Sequence, residues 1–259
     1  MKLNKKVAIV TGAAKGLGRE IARAFAAQGA RVMLMDRDTA ELKRTADEIS
    51  RTGGEIRVYA GDVSREKEVA EMVGQTRKHF DPIDILVNNA GIIGPANFAK
   101  DADAKNWQKT LDINLNGTFY CCRAVLPDMA ERKSGKIINV TSGLGERPFP
   151  RFCAYGVSKA GLIQLTRSLS EELSEFNIQV NAINPGVMDT PMQEQIRALD
   201  IASVGKDVHE RFQGLYDAGE LLNPAELAPL AVFLASAASD HITGEYRRPD
   251  GYQALGWRP

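Results

Sequence analysis

Six short aliphatic runs recur along the chain: KVAIV (6–10), RVMLM (31–35), EIRVYA (55–60), IDILVNN (83–89), GKIINVTS (135–142) and IQVNAINPG (178–186). Apolar on both faces and rich in β-branched side chains, they predict the buried strands of a parallel sheet. The stretches between them carry helical spacing. Ile21, Ala24, Phe25 and Gln28 follow Gly18; Val69, Met72 and Val73 follow Ser64, which is placed to cap a helix with Lys67 at the third position. The pattern is a βαβ series. No linker, repeat or low-complexity tract interrupts it, so residues 1–259 are expected to form one domain. The alternation lapses at 189–223, a polar-amphipathic insertion between the strand ending near Ile183 and a helix beginning after Pro224. Such an insertion beyond a strand's carboxyl end is expected to be a helical lid over a ligand.

Composition narrows the partners. Lys plus Arg and Asp plus Glu both number 33, so no basic field exists to hold nucleic acid or an anionic membrane. The N-terminal apolar burst is too short for a signal-peptide core, and no run approaches eighteen apolar residues. A cytoplasmic protein with a small-molecule partner is expected. Cys121, Cys122 and Cys153 match no metal-ligand spacing and read as reduced core residues; no metal site is expected. His79, His209 and His241 stand in no nucleophile motif.

TGAAKGLG follows the first strand directly and opens the first helix, with glycines at 12, 16 and 18. Glycine permits positive φ and close backbone approach to a pyrophosphate, and the helix start offers free N–H groups to the anion. A tight strand-to-helix turn would carry the same glycines. Asp36 decides for the dinucleotide, because it ends the second strand about twenty residues on, where a carboxylate accepts from ribose hydroxyls. It would repel a 2′-phosphate, whereas Lys15 and Arg37 could attract one; weighing contact between two anions above a flexible lysine favours NAD over NADP. Asp62 follows the third run and Asn88–Gly91 the fourth, at the sheet edge where open α/β folds bind ligands.

Together these motifs resemble the short-chain dehydrogenase/reductase family from TGAAKGLG to the ITG ending at residue 244. The resemblance rests on Gly12, Gly16 and Gly18; Asp62; Asn88 to Gly91; Asn114 in DINLNG; Ser142; Tyr155 with Lys159; and Pro185–Gly186 followed by Thr190. It implies a Rossmann-type doubly wound parallel sheet of about seven strands with helices on both faces, a nicotinamide cofactor, and interconversion of a secondary alcohol with a ketone or aldehyde. Tyr155 would be the general acid/base, Ser142 would orient the substrate oxygen, and Lys159 would bind the nicotinamide ribose and lower the tyrosine pKa. Asn114 would hold a water continuing the proton relay. Lys15, Leu17, Asp36 and Arg37 would flank the glycine loop, Asp62 and Val63 would face the adenine, and Asn88, Asn89, Ala90 and Gly91 would line the ribose side. Ile183 to Thr190, with Pro185, Gly186 and Val187, would face the nicotinamide.

The chemistry asks much of a tyrosine. Bringing a pKa of ~10 near 7 requires ~4 kcal/mol in favour of the phenolate. A lysine at i+4 shares the helix face, and its charge ~4 Å away at an effective dielectric of ~20 is worth about that much. At longer range it falls short, and the positive nicotinamide ring must supply the remainder.

Substrate positions are expected among Ile92–Ala96, Gly143–Phe152 and the lid, with Leu144, Phe149, Phe152 and Met192 foremost. The aromatics suit an apolar carbonyl compound, while Arg147 or Arg151 could hold a carboxylate or stand in solvent. A 3-oxoacyl-[acyl-carrier-protein] reductase is the alternative within the family; Arg132 and Lys133 suit an acidic carrier, but Glu171, Glu172 and Glu175 would repel it. A non-catalytic NAD-binding regulator is the alternative outside it. The segments 112–132 and 152–176 match helices of the family's dimer interface, so a homo-oligomer, dimer or tetramer, is expected. The C-terminus departs from the pattern. Pro249 cannot donate to a sheet ladder, which leaves YQALGWRP expected to reach a lid or neighbouring subunit.

Overall fold

The computed structural model describes residues 1–259. In chain order the elements are β1 (Val7–Thr11), α1 (Gly16–Ala27), β2 (Arg31–Asp36), α2 (Thr39–Arg51), β3 (Glu55–Ala60), α3 (Glu66–Phe80), β4 (Ile85–Asn88), α4 (Ala104–Leu111), α5 (Gly117–Arg132), β5 (Gly135–Val140), α6 (Cys153–Glu172) and β6 (Ile178–Ile183). There follow α7 (Pro191–Arg197), α8 (Ile201–Val204), α9 (Lys206–Asp217), α10 (Pro224–Ala235), β7 (Tyr246–Arg247) and α11 (Pro249–Gln253). The seven strands form one parallel sheet in the order β3-β2-β1-β4-β5-β6-β7. The order reverses between β1 and β4, and the crevice at that switch point is where a doubly wound sheet takes its ligand.

The pleat sorts β1 between two cores. Ala8 and Val10 face a layer that includes Phe25 of α1 and Leu230 of α10, whereas Val7 and Ile9 face Met72 of α3 and Val125 of α5. β1, β4, β5 and β6 are buried throughout, as both-face apolar runs require. β3 differs. It is the sheet edge, with Ile56 alone buried and Val58 46 % exposed, and its charged residues discourage further strand pairing.

Ser64 does not cap α3. Its N–H and hydroxyl both donate to Asp62 Oδ1, at 2.9 and 2.7 Å, and Arg65 occupies the cap position without a side-chain bond. The carboxylate two residues earlier competes for the serine and moves the helix start onward. Between α4 and α5 the helix widens into a π turn over Asp112–Asn116, which carries Asn114.

The 189–223 insertion folds as α7, α8 and α9, and its residues Ile196, Val204, Val208 and Phe212 form a third apolar cluster with Phe152 and Tyr155. The tail is not free. Pro249 opens α11, where its missing N–H is no loss, and Tyr252 and Trp257 are buried in the main core. The Tyr252 hydroxyl donates to Ala182 O at 2.8 Å. No helix is long and apolar enough to cross a membrane.

Candidate active site

The glycine loop is shaped by backbone contacts. Gly12 has φ +63, and a Cβ there would lie 2.8 Å from Ala90 Cα; a Cβ on Gly18 would lie 2.2 Å from Gly12 O. Neither position admits a side chain without moving main chain. Asn89 Nδ2 donates to Thr11 O and Gly12 O at 3.1 and 3.0 Å, and Thr11 Oγ1 accepts from the N–H groups of Asn89 and Ala90. Thus β1 and β4 are tied together at the switch point. Thr11, whose hydroxyl does this, opens TGAAKGLG, yet the glycine spacing alone assigns it no role.

Beyond the loop, Lys15 precedes α1 without a side-chain cap, and the first turn holds no acidic residue. The first N–H groups of α1 therefore face the crevice without a side-chain partner, which suits a pyrophosphate. Asp36 accepts from Ala14 N at 3.1 Å and Asp38 N at 3.0 Å. Lys15 pairs with Asp38 at 2.8 Å, which raises the lysine pKa and lowers that of the aspartate. Arg37 is exposed and forms no ion pair. This uncapped turn, the closed glycine cradle and Asp36 at the end of β2 fit the two phosphates and the ribose of a dinucleotide.

A cleft of about 440 Å³ runs from there to Ser142 and Tyr155. It is lined by Gly12, Lys15, Gly16, Leu17, Asp36, Arg37, Asp62, Val63, Asn89, Ala90, Gly91, Pro185, Gly186, Val187 and Thr190, and at the far end by Leu144, Phe152, Tyr155, Lys159 and Met192. Gly18 lies beneath it. Several expected positions fall elsewhere, Ile183 among them, fully buried in the main core. Asn88 is buried under the sheet edge, donating to Asn139 Oδ1 at 2.9 Å and Cys122 Sγ at 3.4 Å, so it belongs to a core network rather than the ribose side. Phe149 packs behind the cleft against Phe152 and Phe212, with ring centroids 5.6 and 6.0 Å away. Cys153 is exposed, unlike buried Cys121 and Cys122.

Ser142 lies two residues beyond β5 in extended backbone, its Oγ accepting from Leu144 N at 3.2 Å. Tyr155 and Lys159 share the buried face of α6. The lysine amine donates to Val140 O at 2.8 Å and lies 5.6 Å from the Tyr155 ring centroid. Burial pushes the Tyr155 phenol up to about 12, with the Ser142 hydroxyl opposing, and pulls Lys159 down to about 8. The protein alone therefore disfavours both charged forms.

Asn114 does not line the cleft. Its amide accepts from Ile92 N at 2.8 Å and donates to Ile92 O and Ser158 Oγ at 2.9 and 3.0 Å, bracing the β4 exit against α6 one residue before Lys159. The far wall adds Ile93, from the expected Ile92–Ala96 stretch, and Gln193, Ile196 and Phe212 from the expected lid, none of them named individually from the sequence. Met192, Gln193 and Ile196 share helical spacing on α7, a signal present in the sequence. Phe212 arrives from α9 with no such signal.

The family model described as short chain dehydrogenase matches residues 6–200. Among curated relatives, (2S)-[(R)-hydroxy(phenyl)methyl]succinyl-CoA dehydrogenase subunit BbsD of Thauera aromatica is 35% identical, covering 95% of both chains. Oxidoreductase UcpA of Salmonella typhimurium is 36% identical over 98% of this chain and 96% of its own, and 3-oxoacyl-[acyl-carrier-protein] reductase FabG of Thermotoga maritima is 33% identical over 97% and 98%. Levodione reductase superposes with a TM-score of 0.88 at 30% identity, covering 98% of this chain and 100% of that one. NAD⁺-bound xylitol dehydrogenase gives 0.88 at 30% over 96% and 99%. An actinorhodin polyketide ketoreductase with NADPH gives 0.87 at 30% over 94% and 95%. With these likenesses spanning nearly its whole length, the chain belongs to the short chain dehydrogenase family of oxidoreductases, whose fold binds a nicotinamide cofactor.

Proposed function

We propose that the chain interconverts a small secondary alcohol and its ketone, or a primary alcohol and its aldehyde, with NAD(H). The observation that carries this reading is the convergence of Ser142, Tyr155 and Lys159 at one end of a cleft whose other end is an uncapped, glycine-lined helix start. When bound, the nicotinamide cofactor supplies or accepts the hydride. Tyr155 delivers a proton to the carbonyl oxygen as charge develops on it, or takes one from the alcohol in reverse. Ser142 holds that oxygen against the phenol. Lys159, anchored on Val140 O, places a cation beside the tyrosine ring. Asn114 fixes the backbone of both neighbouring segments.

NAD rather than NADP is supported by Asp36 at the ribose position and by the engagement of Lys15 with Asp38, which leaves Arg37 as the unpaired cation there. A homo-oligomer is supported by apolar groups left exposed on the outer helices, Phe119 of α5 at 43 % and Val157 of α6 at 45 %. The carrier-protein reading loses one of its cations. Arg132 turns inward to donate to Ile83 O and lies 3.7 Å from Asp84.

Loss of NADH fluorescence over a panel of ketones, with NADPH alongside, tests the proposal. Wild type is expected to turn over with NADH preferred. Tyr155→Phe is expected to bind NADH unchanged and to lose about 10²–10⁴-fold in turnover. Cofactor binding without turnover on any ketone or alcohol would favour a regulator.

A further inference from the structure

At its Tyr155 end the cleft forms a chamber walled by Ile93, Leu144, Phe152, Met192, Ile196 and Phe212, with the neutral amide of Gln193 as a polar group among them, its buried Oε1 unpartnered. Phe152 and Phe212 meet edge to face with centroids 6.2 Å apart, and Phe149 buttresses both. The wall is therefore a packed aromatic surface. The charged groups that line the cleft, Lys15, Asp36, Arg37, Asp38 and Asp62, stand at the glycine-loop end. Lys159 is the one charged side chain at the chamber end, and its amine is held by Val140 O.

The residue best placed to bring a positive charge into this chamber is Arg151, and it is committed elsewhere. Its Nη1 donates to Val204 O at 2.6 Å and to Asp207 Oδ1 at 3.0 Å, and the guanidinium lies 4.6 Å from the centre of the Phe98 ring. Its backbone has φ +69, and a Cβ on Gly205 would fall 1.8 Å from Nη1. The chain thus accepts a left-handed arginine and a glycine opposite it to let this side chain latch the lid to the β5 loop. Arg147 and Arg248 are exposed and lie outside the chamber lining, as does Glu146. A carboxylate or phosphate entering the chamber would shed water and find no cation but Lys159, whose amine is already held by Val140 O, whereas an apolar ring would bury its surface against aromatic groups.

We infer that the substrate is a neutral, largely apolar cyclic or aryl ketone or the matching secondary alcohol, and that anionic oxo acids and sugar phosphates are rejected. The inference rests on the proposed oxidoreductase reading of the site. Its test uses a matched set: 4-methylcyclohexanone, methyl 4-oxocyclohexanecarboxylate and 4-oxocyclohexanecarboxylate. The methyl compound and the ester are expected to react at comparable kcat/KM, and the acid at least about 100-fold more slowly, the change expected for burying a charge without a partner. Binding of the same three compounds to the NADH-loaded Tyr155→Phe protein, where the nicotinamide ring is neutral, should show the same order by calorimetry. This readout stands even where no turnover occurs, so absence of turnover with ordered binding would sink the oxidoreductase reading and leave the ligand class intact.

Two variants sharpen the test. Met192→Arg places a cation in the chamber and should raise the acid-to-methyl ratio by about 10-fold or more. Arg151→Gln unlatches the lid and should lower all three compounds alike. Equal handling of acid and methyl compound by the wild type, or loss confined to the acid in Arg151→Gln, would overturn the inference.

Discussion

At the glycine-loop end of the cleft, Asn89 and Thr11 direct their polar atoms to main chain, and the loop's own glycines meet backbone where a Cβ would go. At the substrate end, shape comes from side chains meeting side chains: Phe149, Phe152 and Phe212 around the chamber, and Arg151 on Asp207 and Phe98. Backbone contacts admit few residue types, so that end leaves a readable motif. Apolar packing is satisfied by many combinations of similar volume, and the substrate end leaves almost none.

The largest expected effect lies in the tail, in the core that packs against the glycine-loop helix. Trp257 is 4 % exposed and packed in the same core as Phe25 and Tyr252. Trp257→Ala should destabilise the protein by about 3–5 kcal/mol, seen as a lowered midpoint in urea denaturation with little change in slope. An unchanged midpoint would restore the tail to the free segment that its sequence suggests. Gly18→Ala comes next. With Gly12 O in the way, the new methyl must displace the loop, and the Kd for NADH should rise about 10–100-fold, with a lowered thermal midpoint from the displaced main chain. Phe212→Leu, at the other end, should leave that Kd unaltered and change only the KM values of the ketones.

Tyr155 and Lys159 join the two ends, and their titration tests whether the cofactor end governs the chemistry. In the protein alone the lysine loses its proton near 8 and the phenol near 12, so rising pH removes the ammonium before the phenolate appears. The ammonium–phenolate pair is then a minor state at every pH. A positive charge brought beside the phenol favours its ionised form, and the Tyr155 pKa should fall by about 1–3 units in the NAD⁺ complex. Ultraviolet difference titration of wild type against Tyr155→Phe, with and without NAD⁺, measures this. Coincident curves would mean that the protein tunes the pair by itself.

The strands, their parallel pairing and the lid were legible because each is written in local periodicity. β3 broke the both-face apolar rule because only its position at the edge, a property of the whole sheet, explains its exposed face. Ser64 misled for the opposite reason, a purely local one, since Asp62 two residues away takes its hydrogen bonds. Of the predicted site, Ser142, Tyr155, Lys159 and the glycine loop do converge. Asn88 and Phe149 do not, because a motif position says which loop a residue belongs to and not which way its side chain turns. Arg151 was readable as an anion holder or as a solvated rim residue. It is neither, and its partners, Val204 and Asp207, lie 53 and 56 residues away.

The smallest expected effect concerns a residue that sequence reading passes over altogether. Tyr246 of β7 donates to Ser142 O at 3.1 Å and accepts from Asn184 Nδ2 at 3.1 Å, and Asn184 Oδ1 accepts from Gly186 N at 3.2 Å. One phenol thereby joins the serine turn to the Pro185–Gly186 loop across the reacting position, from 104 residues along the chain. Tyr246→Phe removes both bonds. The site is half-buried, so water can replace the lost partner, and the loss should be near 1 kcal/mol, or about 5-fold in kcat with the NADH Kd unchanged. A merely structural role would give the same loss in any background. If Tyr246 acts by positioning Ser142, the substitution should have little further effect once Ser142→Ala has removed the hydroxyl it positions, and the double-mutant cycle should show coupling close to the whole single-mutant loss. A full 5-fold loss persisting in the Ser142→Ala background would place its influence elsewhere and divide the serine turn from the C-terminal strand.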